Sequence, residues 1–242
     1  MDETGRKPDA ERCLVMMAKY PESGQVKTRL APDIGVEHAC ELYRRFILDL
    51  LQNLSSEAWS YRLSLHPWEK KEAMAAVVGE EIVQIPQRGN DLGERMDHVF
   101  REVFAAGFQT VVLIGSDAPD LPAEFVTEAF DALTNHDAVI GPASDGGYYL
   151  IGFRREAFRE DLFTPIPWSA PETFRDQLKR FRDFPLRVYI LPVWQDIDTL
   201  EDLRKMVKFA AVTSFSGLST IQYLQTTDTL RKLEIGRASC RE

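Results

Sequence analysis

The 242-residue sequence has little of several features that would assign a protein to a class at once. No apolar run approaches the roughly 18 residues of a membrane span, and the first twelve residues lack the apolar core of a signal peptide. Basic residues are outnumbered, because 29 Lys and Arg against 38 Asp and Glu give a net charge of −9. That balance excludes a general nucleic-acid binder, which would present a basic face. We therefore expect a cytoplasmic protein with no membrane span and no nucleic-acid partner.

Cysteine and histidine are also scarce. The three cysteines, Cys13, Cys40 and Cys240, are odd in number and lack metal-ligand spacing. The four histidines lie in separate segments, and neither a G-x-S-x-G elbow nor an H-E-x-x-H motif is present. These absences disfavour hydrolase triads and zinc chemistry, and cysteines of this kind are typical of a compartment that keeps thiols reduced.

What is present is an alternation of short apolar runs with helical patterns. Apolar runs predict strands, and residues at helical spacing predict helices between them. The predicted strands are 14–18, 61–65, 81–85, 110–114 and 138–140, and the helices between them are 36–54, 68–78, 92–106 and 123–133. Such a βα repeat predicts a three-layer α/β/α, doubly wound, mostly parallel sheet with right-handed crossovers.

The pattern changes after residue 145. A late strand, 148–153, follows two glycines and is antiparallel in our prediction; a last strand, 187–191, and a helix, 200–212, close the domain. We expect one domain over residues 12–212, preceded by a flexible lead of residues 1–11. Residues 213–242 form a tail that is partly disordered or a cloning remnant.

Two acidic residues follow apolar runs directly. Asp117 comes after strand 110–114, and Asp145 after the strand that ends near residue 140. In open α/β sheets ligands bind at the carboxyl ends of strands. Two carboxylates there suit magnesium, which takes few carboxylates and completes its shell with substrate oxygens. The alternative is that both aspartates cap turns or helices.

The loop after the first strand is basic. It contains Lys19, Lys27 and Arg29 together with Gly24, a combination of cations and free backbone amides that can cradle phosphate. It is not a P-loop, because Val26 rather than glycine precedes the lysine. The alternative is a solvated basic loop.

A second polar loop, 87–96, follows the third strand. Gln87 offers a donor and an acceptor to a base edge, and Gly89 permits close approach of a base, sugar or phosphate near a helix N-terminus. A structural interpretation also exists, because Asp91 followed by Glu94 is typical of a capping box.

Two further segments carry candidate residues. Asp198 precedes the last helix and is either a metal ligand or, like Thr199, a cap of that helix. Gly146, Gly147 and Tyr148 follow Asp145 and are candidate substrate contacts.

Five motifs in order resemble a known family. They are KYPESGQVKTRL at 19–30, QRGNDLGERM at 87–96, GSDAPDL at 115–121, IGPASDGGYYLIG at 140–152 and DIDTLEDL at 196–203. The chain resembles nucleotide-diphospho-sugar transferase-like proteins of the glycosyltransferase-A (GT-A) superfamily, more narrowly the bacterial selenodomain-associated glycosyltransferase-like proteins. It is more distantly similar to 2-phospho-lactate guanylyltransferases and molybdenum-cofactor nucleotidyltransferases.

The resemblance implies a GT-A fold that binds a nucleotide with Mg²⁺ or Mn²⁺. By it, Asp117 holds the metal and diphosphate, Lys27 and Arg29 hold phosphates, and Asp198 is a second acidic ligand. One departure concerns the metal site: glycosyltransferases often carry D-x-D, whereas here residues 116–118 contain one carboxylate. Sugar transfer is therefore less supported than nucleotide binding.

The expected function is a metal-dependent transferase that takes a nucleotide or nucleotide-sugar donor and a small-molecule acceptor. In nucleotidyl transfer Lys27, Arg29 and Asp117 act on the phosphates and the metal; in glycosyl transfer Asp145 serves as the base for the acceptor. A non-catalytic nucleotide-binding module that regulates a partner is the alternative. The motifs leave the base, the sugar, the acceptor and the oligomeric state open.

Overall fold

The computed structural model of the protein describes residues 11–168 and 170–227. The predictions made for the rest of the lead and of the tail, Cys240 included, lie outside the described residues. The described part contains seven strands and eight α-helices. Within it, no helix is both long and apolar enough to cross a lipid bilayer.

The strands form one sheet of mixed direction. Their order is β3-β2-β1-β4-β6-β5-β7, and only β6 among them runs antiparallel to its neighbours, β4 and β5. The α/β class, the mostly parallel sheet and the late antiparallel strand are confirmed. The strands are β1 Arg12–Lys19, β2 Ser60–His66, β3 Val83–Pro86, β4 Thr110–Ile114, β5 Ala138–Pro142, β6 Tyr148–Arg154 and β7 Val188–Ile190.

The described residues group into two compact units. The sheet unit takes residues 11–20, 54–115 and 122–195, and the helical unit takes residues 21–53, 116–121 and 196–227. The sheet unit contains helices α3 Lys71–Val78, α4 Leu92–Ala105, α5 Ala123–Ala132 and α6 Thr173–Asp183; the helical unit contains α1 Ala31–Ile34, α2 Val36–Asn53, α7 Leu200–Ala210 and α8 Ser219–Thr226. The expected single domain over residues 12–212 stays a prediction.

The core of the sheet unit contains a cluster of phenylalanine rings. Phe153 on β6 is fully buried and contacts Phe100 of α4 and Phe181 of α6 edge to face, with ring centroids 5.0 and 5.6 Å apart. Aromatic rings prefer this geometry because the positive edge of one ring meets the negative face of the other. Helix α6 was not predicted, although Phe174, Leu178 and Phe181 recur at helical spacing.

Polar contacts join the N-terminus of α8 to α2. Asp49 of α2, only 2% exposed, accepts hydrogen bonds from the backbone amides of Ser219 and Thr220 at 2.7 and 2.9 Å. A carboxylate at this position satisfies amides that a helix start leaves unpaired and complements the helix dipole. His38 Nδ1 lies 2.6 Å from the hydroxyl of Tyr223. The predicted tail thus begins with an ordered helix that the sequence patterns did not reveal.

Candidate functional site

The centre of the candidate site is the buried ammonium of Lys27. Its Nζ lies 2.5 Å from Asp117 Oδ1 and 2.9 Å from Asp198 Oδ1, and donates to the carbonyl oxygen of Ile197 at 2.8 Å. An ammonium has three protons to donate. Lys27 therefore has a partner within the helical unit for each proton, and its side chain is only 2% exposed.

The surroundings of Lys27 favour the charged form. The ring centroids of Phe46 and Tyr43 lie 5.2 and 6.0 Å from its Nζ, within reach of a cation–π interaction. Burial alone would lower the pKa of Lys27, but the two carboxylates more than offset it and the pKa is raised. Its backbone has a φ of 48°, in the left-handed region that a non-glycine residue occupies at a cost. The contacts of the ammonium thus offset the cost of this backbone conformation.

Asp117 is positioned by its neighbours along the chain. The hydroxyl of Ser116 lies 2.8 Å from that of Tyr43 on α2, and both residues are buried. The carbonyl oxygen of Asp117 accepts a hydrogen bond of 2.8 Å from the amide of Ile197, which ties segment 116–121 to the segment before α7. The Asp117 side chain itself stays 43% exposed.

The structure separates the two roles that the sequence left open near residue 198. Thr199 is the N-cap of α7: its hydroxyl accepts from the amide of Asp202, whose carboxylate reaches back to the amide of Thr199. This capping box satisfies the helix start. Asp198 is left to contact Lys27 and, at 3.4 Å from its Oδ2, the guanidinium of Arg29.

Arg29 and Gly24 lie in the same basic loop. The Arg29 side chain is 68% exposed, so its guanidinium is open to an anionic ligand in a way that the Lys27 ammonium is not. Gly24 is exposed and has a φ of 75°, with open space on the side where a Cβ would be. Four predicted residues, Lys27, Arg29, Asp117 and Asp198, are thus brought together, and Gly24 shares the loop of the two cations.

The donor set fits a divalent cation that is shared with a ligand. Asp117 and Asp198 contact one ammonium through their Oδ1 atoms, while their side chains remain 43% and 36% exposed. Among the described residues no group of three or more His, Cys, Asp or Glu side chains could hold a metal ion. Two carboxylates completed by phosphate oxygens and water are a set that Mg²⁺ accepts.

The remaining predicted site residues belong to the sheet unit. Lys19 ends β1 and pairs in register with His66 of β2. The side-chain amide of Gln87 donates to the carbonyl oxygens of Ala18 and Ser64 at 3.1 and 2.8 Å. Both protons of this amide are therefore occupied by backbone, so only its oxygen is left for a ligand. Its role in binding stays a prediction.

Gly89 lies against the first turn of α4. A Cβ on Gly89 would come within 2.5 Å of the Cβ of Glu94, so close packing accounts for the glycine without a ligand. Asp91 caps α4 by accepting from the amide of Glu94 at 2.9 Å. The carboxylate of Glu94 reaches the amide of Asn90 at 2.7 Å, one residue before the position that a capping box requires.

The turn after β5 is ordered by its own side chain. Asp145 Oδ1 accepts from the amide of Gly147 at 2.9 Å, the Asx-turn geometry that an aspartate favours. Gly146 packs against the carbonyl of Pro171. The hydroxyl of Tyr148 lies 3.4 Å from Gln177 Oε1, and burial raises its pKa well above the usual value. Catalytic and substrate roles for Asp145, Gly146, Gly147 and Tyr148 stay predictions.

Sequence patterns did not single out Tyr43 or Ser116. Tyr43 lies on the apolar stripe of α2, where a tyrosine is typical of core packing, and the hydroxyl gives no periodic signal. Ser116 is part of the GSDAPDL motif and adjoins Asp117. The position of Ser116 next to Asp117, a candidate metal-ligating residue, was the signal that could have identified it.

With this geometry established, comparisons with known proteins become informative. The chain matches the family described as "Uncharacterized protein conserved in bacteria (DUF2064)" over residues 50–170. It is similar to a proposed nucleotide-diphospho-sugar transferase of Desulfovibrio desulfuricans G20, with 38% identity and a TM-score of 0.88 over 92% of this chain and 96% of that one. No curated protein matches it significantly.

More distant structures share the fold. A cytidylyltransferase of Leptospira borgpetersenii is 14% identical, with a TM-score of 0.55 over 96% of this chain and 99% of that one. The 4-diphosphocytidyl-2C-methyl-D-erythritol synthase of Anaerococcus prevotii is 12% identical, with a TM-score of 0.56 over 90% and 98%. At such identities the likeness concerns the fold alone.

The sheet order and these similarities define a protein with the fold of nucleotide-diphospho-sugar transferases, as the resemblance of the five motifs implied. Within that class the chain belongs to the DUF2064 family, because the family match covers half of it and the Desulfovibrio protein is 38% identical along nearly its whole length.

Proposed function

We propose that the protein is a metal-dependent transferase that takes a nucleotide or nucleotide-sugar donor. One observation carries the proposal: two exposed carboxylates, Asp117 and Asp198, are held by one buried lysine beside the exposed Arg29. A purely structural ion pair does not require two half-exposed carboxylates on one ammonium. The name of the similar Desulfovibrio protein, a proposed nucleotide-diphospho-sugar transferase, supports the same class of donor.

The roles of the residues follow from exposure and charge. Asp117 and Asp198, whose side chains are partly exposed, would hold Mg²⁺ or Mn²⁺. Arg29 would bind phosphate oxygens, since a guanidinium matches their geometry. The cation would supply positive charge where negative charge develops on the departing phosphate group. Lys27 keeps the two carboxylates in place, and catalysis depends mainly on positioning and charge stabilisation.

Two types of transfer are compatible with these roles. In nucleotidyl transfer, an acceptor oxygen attacks the α-phosphorus of a nucleoside triphosphate, the bond to the β-phosphate oxygen breaks, and pyrophosphate leaves. In glycosyl transfer, an acceptor hydroxyl attacks the anomeric carbon of a sugar nucleotide, a carboxylate takes the hydroxyl proton, and the nucleoside diphosphate leaves. Asp145 is our candidate for that base; its Oδ1 is engaged by Gly147, so its Oδ2 would accept the proton.

A thermal-shift screen tests the proposal directly. A ligand that binds only the folded state raises the melting temperature. The panel holds the four nucleoside triphosphates and common UDP- and GDP-sugars, each with Mg²⁺, Mn²⁺ or EDTA. We expect a shift in melting temperature that requires the metal. A metal-dependent shift with a triphosphate but with no sugar nucleotide would indicate nucleotidyl transfer, and one with a sugar nucleotide would indicate glycosyl transfer.

Matched variants assign any shift to the site. Asp117→Asn removes one proposed ligand, whereas Asp183→Asn makes the same change in an exposed surface ion pair with Arg180. The shift should disappear in the first variant and persist in the second. Turnover is then measured as release of pyrophosphate, for nucleotidyl transfer, or of nucleoside diphosphate, for glycosyl transfer. Binding without turnover across many acceptors would support the non-catalytic module, and absence of any metal-dependent shift on folded protein would refute the proposal.

A further inference from the structure

Two cations contact the two carboxylates of the site. Asp117 and Asp198 contribute two negative charges, and Lys27 and Arg29 contribute two positive charges within 3.4 Å of them. The carboxylates are therefore already compensated before any metal arrives. A free divalent cation would approach two carboxylates that already have cationic partners.

Lys27 cannot leave this arrangement as easily as Arg29 can. Its three protons all have partners, its side chain is 2% exposed, and two aromatic rings flank it. Arg29 is 68% exposed and makes a single contact of 3.4 Å with Asp198. An incoming phosphate can thus attract Arg29 away from Asp198, whereas Lys27 stays as a fixed positive charge beside the metal position.

We infer that Lys27 is a built-in counter-cation, and that it makes the Asp117–Asp198 pair bind a divalent cation only together with an anionic phosphate ligand. This inference rests on the proposed function. Like charges a few ångströms apart repel each other at a partly buried site, so the ammonium weakens binding of the bare ion. Phosphate oxygens restore the balance, because they complete the metal shell and add negative charge next to Arg29.

On this inference Lys27 has a role different from the phosphate binding that its motif predicts, and that phosphate-binding role stays a prediction. It is a positioning residue that orients two carboxylates and sets the order of binding, while Arg29 is left to contact phosphate. Each carboxylate of the pair thus has Lys27 as a cationic partner.

The first test measures Mn²⁺ and inorganic pyrophosphate, the portion that nucleotide donors of both types share, on the wild-type protein. Binding of Mn²⁺ alone is followed by electron paramagnetic resonance of the free ion. The melting temperature is then recorded with Mn²⁺, with pyrophosphate in EDTA, and with both. We expect weak binding of Mn²⁺ alone, and a rise with both ligands that exceeds the sum of the separate rises.

The second test removes the charge. Lys27→Met should bind Mn²⁺ alone at least about tenfold more tightly than the wild type, within the range usual for coupled sites. Lys27→Arg keeps the charge and should bind it weakly. Lys205→Met removes an exposed lysine paired with Glu201 on α7 and should leave Mn²⁺ affinity unchanged. A lysine with a purely structural role would not raise metal affinity when it is removed.

The outcomes separate this inference from the proposed function. Tight binding of Mn²⁺ alone to the wild type, lost in Asp117→Asn, would overturn the counter-cation role and leave the metal site standing. Absence of any response to pyrophosphate or to the nucleotide panel would refute the proposed function itself. Should Lys27→Met not fold, the wild-type comparison of single and joint ligands decides the inference.

Discussion

The hydroxyl of Tyr43 lies 2.8 Å from the hydroxyl of Ser116, and both side chains are buried. The contact joins the middle of α2 to the residue before Asp117. A hydrogen bond between buried groups is costly to leave half made, because the remaining partner keeps its desolvation penalty. The pair therefore fixes the backbone that presents Asp117.

Replacement of Tyr43 tests this relationship. We expect Tyr43→Phe to lower the free energy of unfolding by about 1–2 kcal/mol, because the Ser116 hydroxyl loses its partner. It should also weaken joint binding of Mn²⁺ and pyrophosphate. Urea denaturation measures the first effect and the thermal shift measures the second. Tyr20→Phe is the matched control and should stay within about 0.5 kcal/mol; equal effects of both variants would contradict a specific role for Tyr43.

Asp137 should give the protein a measurable acid sensitivity. Its carboxylate accepts from the Arg187 amide and from Arg154 Nη2, each at 2.9 Å, where β5, β6 and β7 meet. Burial would raise its pKa, but the bonds from Arg187 and Arg154 more than offset that and the pKa is lowered from 3.8 to about 2. A lowered pKa means stability that is present above pH 3.8 and is lost as the pH falls towards 2.

The corresponding variant is Asp137→Asn. We expect it to lower the free energy of unfolding by about 1–2 kcal/mol at pH 7, less than the full shift implies because Arg187 is largely exposed. The difference from the wild type should shrink between pH 3.8 and about 2. Denaturation at several pH values measures it. A difference that is the same at pH 2.5 as at pH 7 would show that the charge of Asp137 is not responsible.

Gly146 should tolerate no side chain. Its φ is 94°, and a Cβ there would collide with the carbonyl of Pro171. Gly24 also has a positive φ, 75°, but faces open space. We expect Gly24→Ala to cost about 1 kcal/mol from backbone strain alone and Gly146→Ala clearly more than 2 kcal/mol, since the collision adds to the strain. Equal costs in thermal denaturation would rule out the collision.

Most of the sheet was predictable because short apolar runs indicate buried strands. Residues 110–114 and 148–153 were placed within a residue, and the antiparallel direction of the latter was predicted from the preceding glycines. Helix α8 was not, because its eight residues carry few apolar positions and its start is capped by Asp49, 170 residues away in sequence. Local sequence patterns cannot predict a cap that a residue so distant in sequence provides.

The site divides in the same way. The motifs named Lys27, Arg29, Asp117 and Asp198, and the structure brings all four together. The motifs did not predict that Lys27 would be buried between the carboxylates, because burial and the use of its three protons depend on segments 90 and more residues apart. Functional assignments that rest on residue type alone therefore name the right residues more readily than the right contacts.

Replacement of Gln87 distinguishes a role in stability from a role in ligand binding. Its amide donates to the carbonyl oxygens of Ala18 and Ser64, and so links the ends of β1 and β2. Gln87→Met removes both donors and should lower the free energy of unfolding by about 1–3 kcal/mol, because two carbonyls lose partners. Gln84→Met on β3 is the control and should cost less, because it removes a single donor, to the carbonyl oxygen of Lys71. If Gln87→Met lowers nucleotide affinity by more than the loss of folded protein explains, Gln87 also contacts the ligand, as the sequence predicts.

Arg29 should separate phosphate binding from stability. The guanidinium is 68% exposed and 3.4 Å from Asp198, so Arg29→Gln should change the free energy of unfolding by less than about 0.5 kcal/mol. We expect it to weaken pyrophosphate binding in the presence of Mn²⁺ by about tenfold and to reduce its salt dependence, because exposed charges are screened by salt. Arg182→Gln, an exposed arginine of α6, is the matched control. Unchanged affinity in Arg29→Gln would place the phosphate on another cation, whereas a loss that Arg182→Gln does not share would show that Arg29 contributes to phosphate binding.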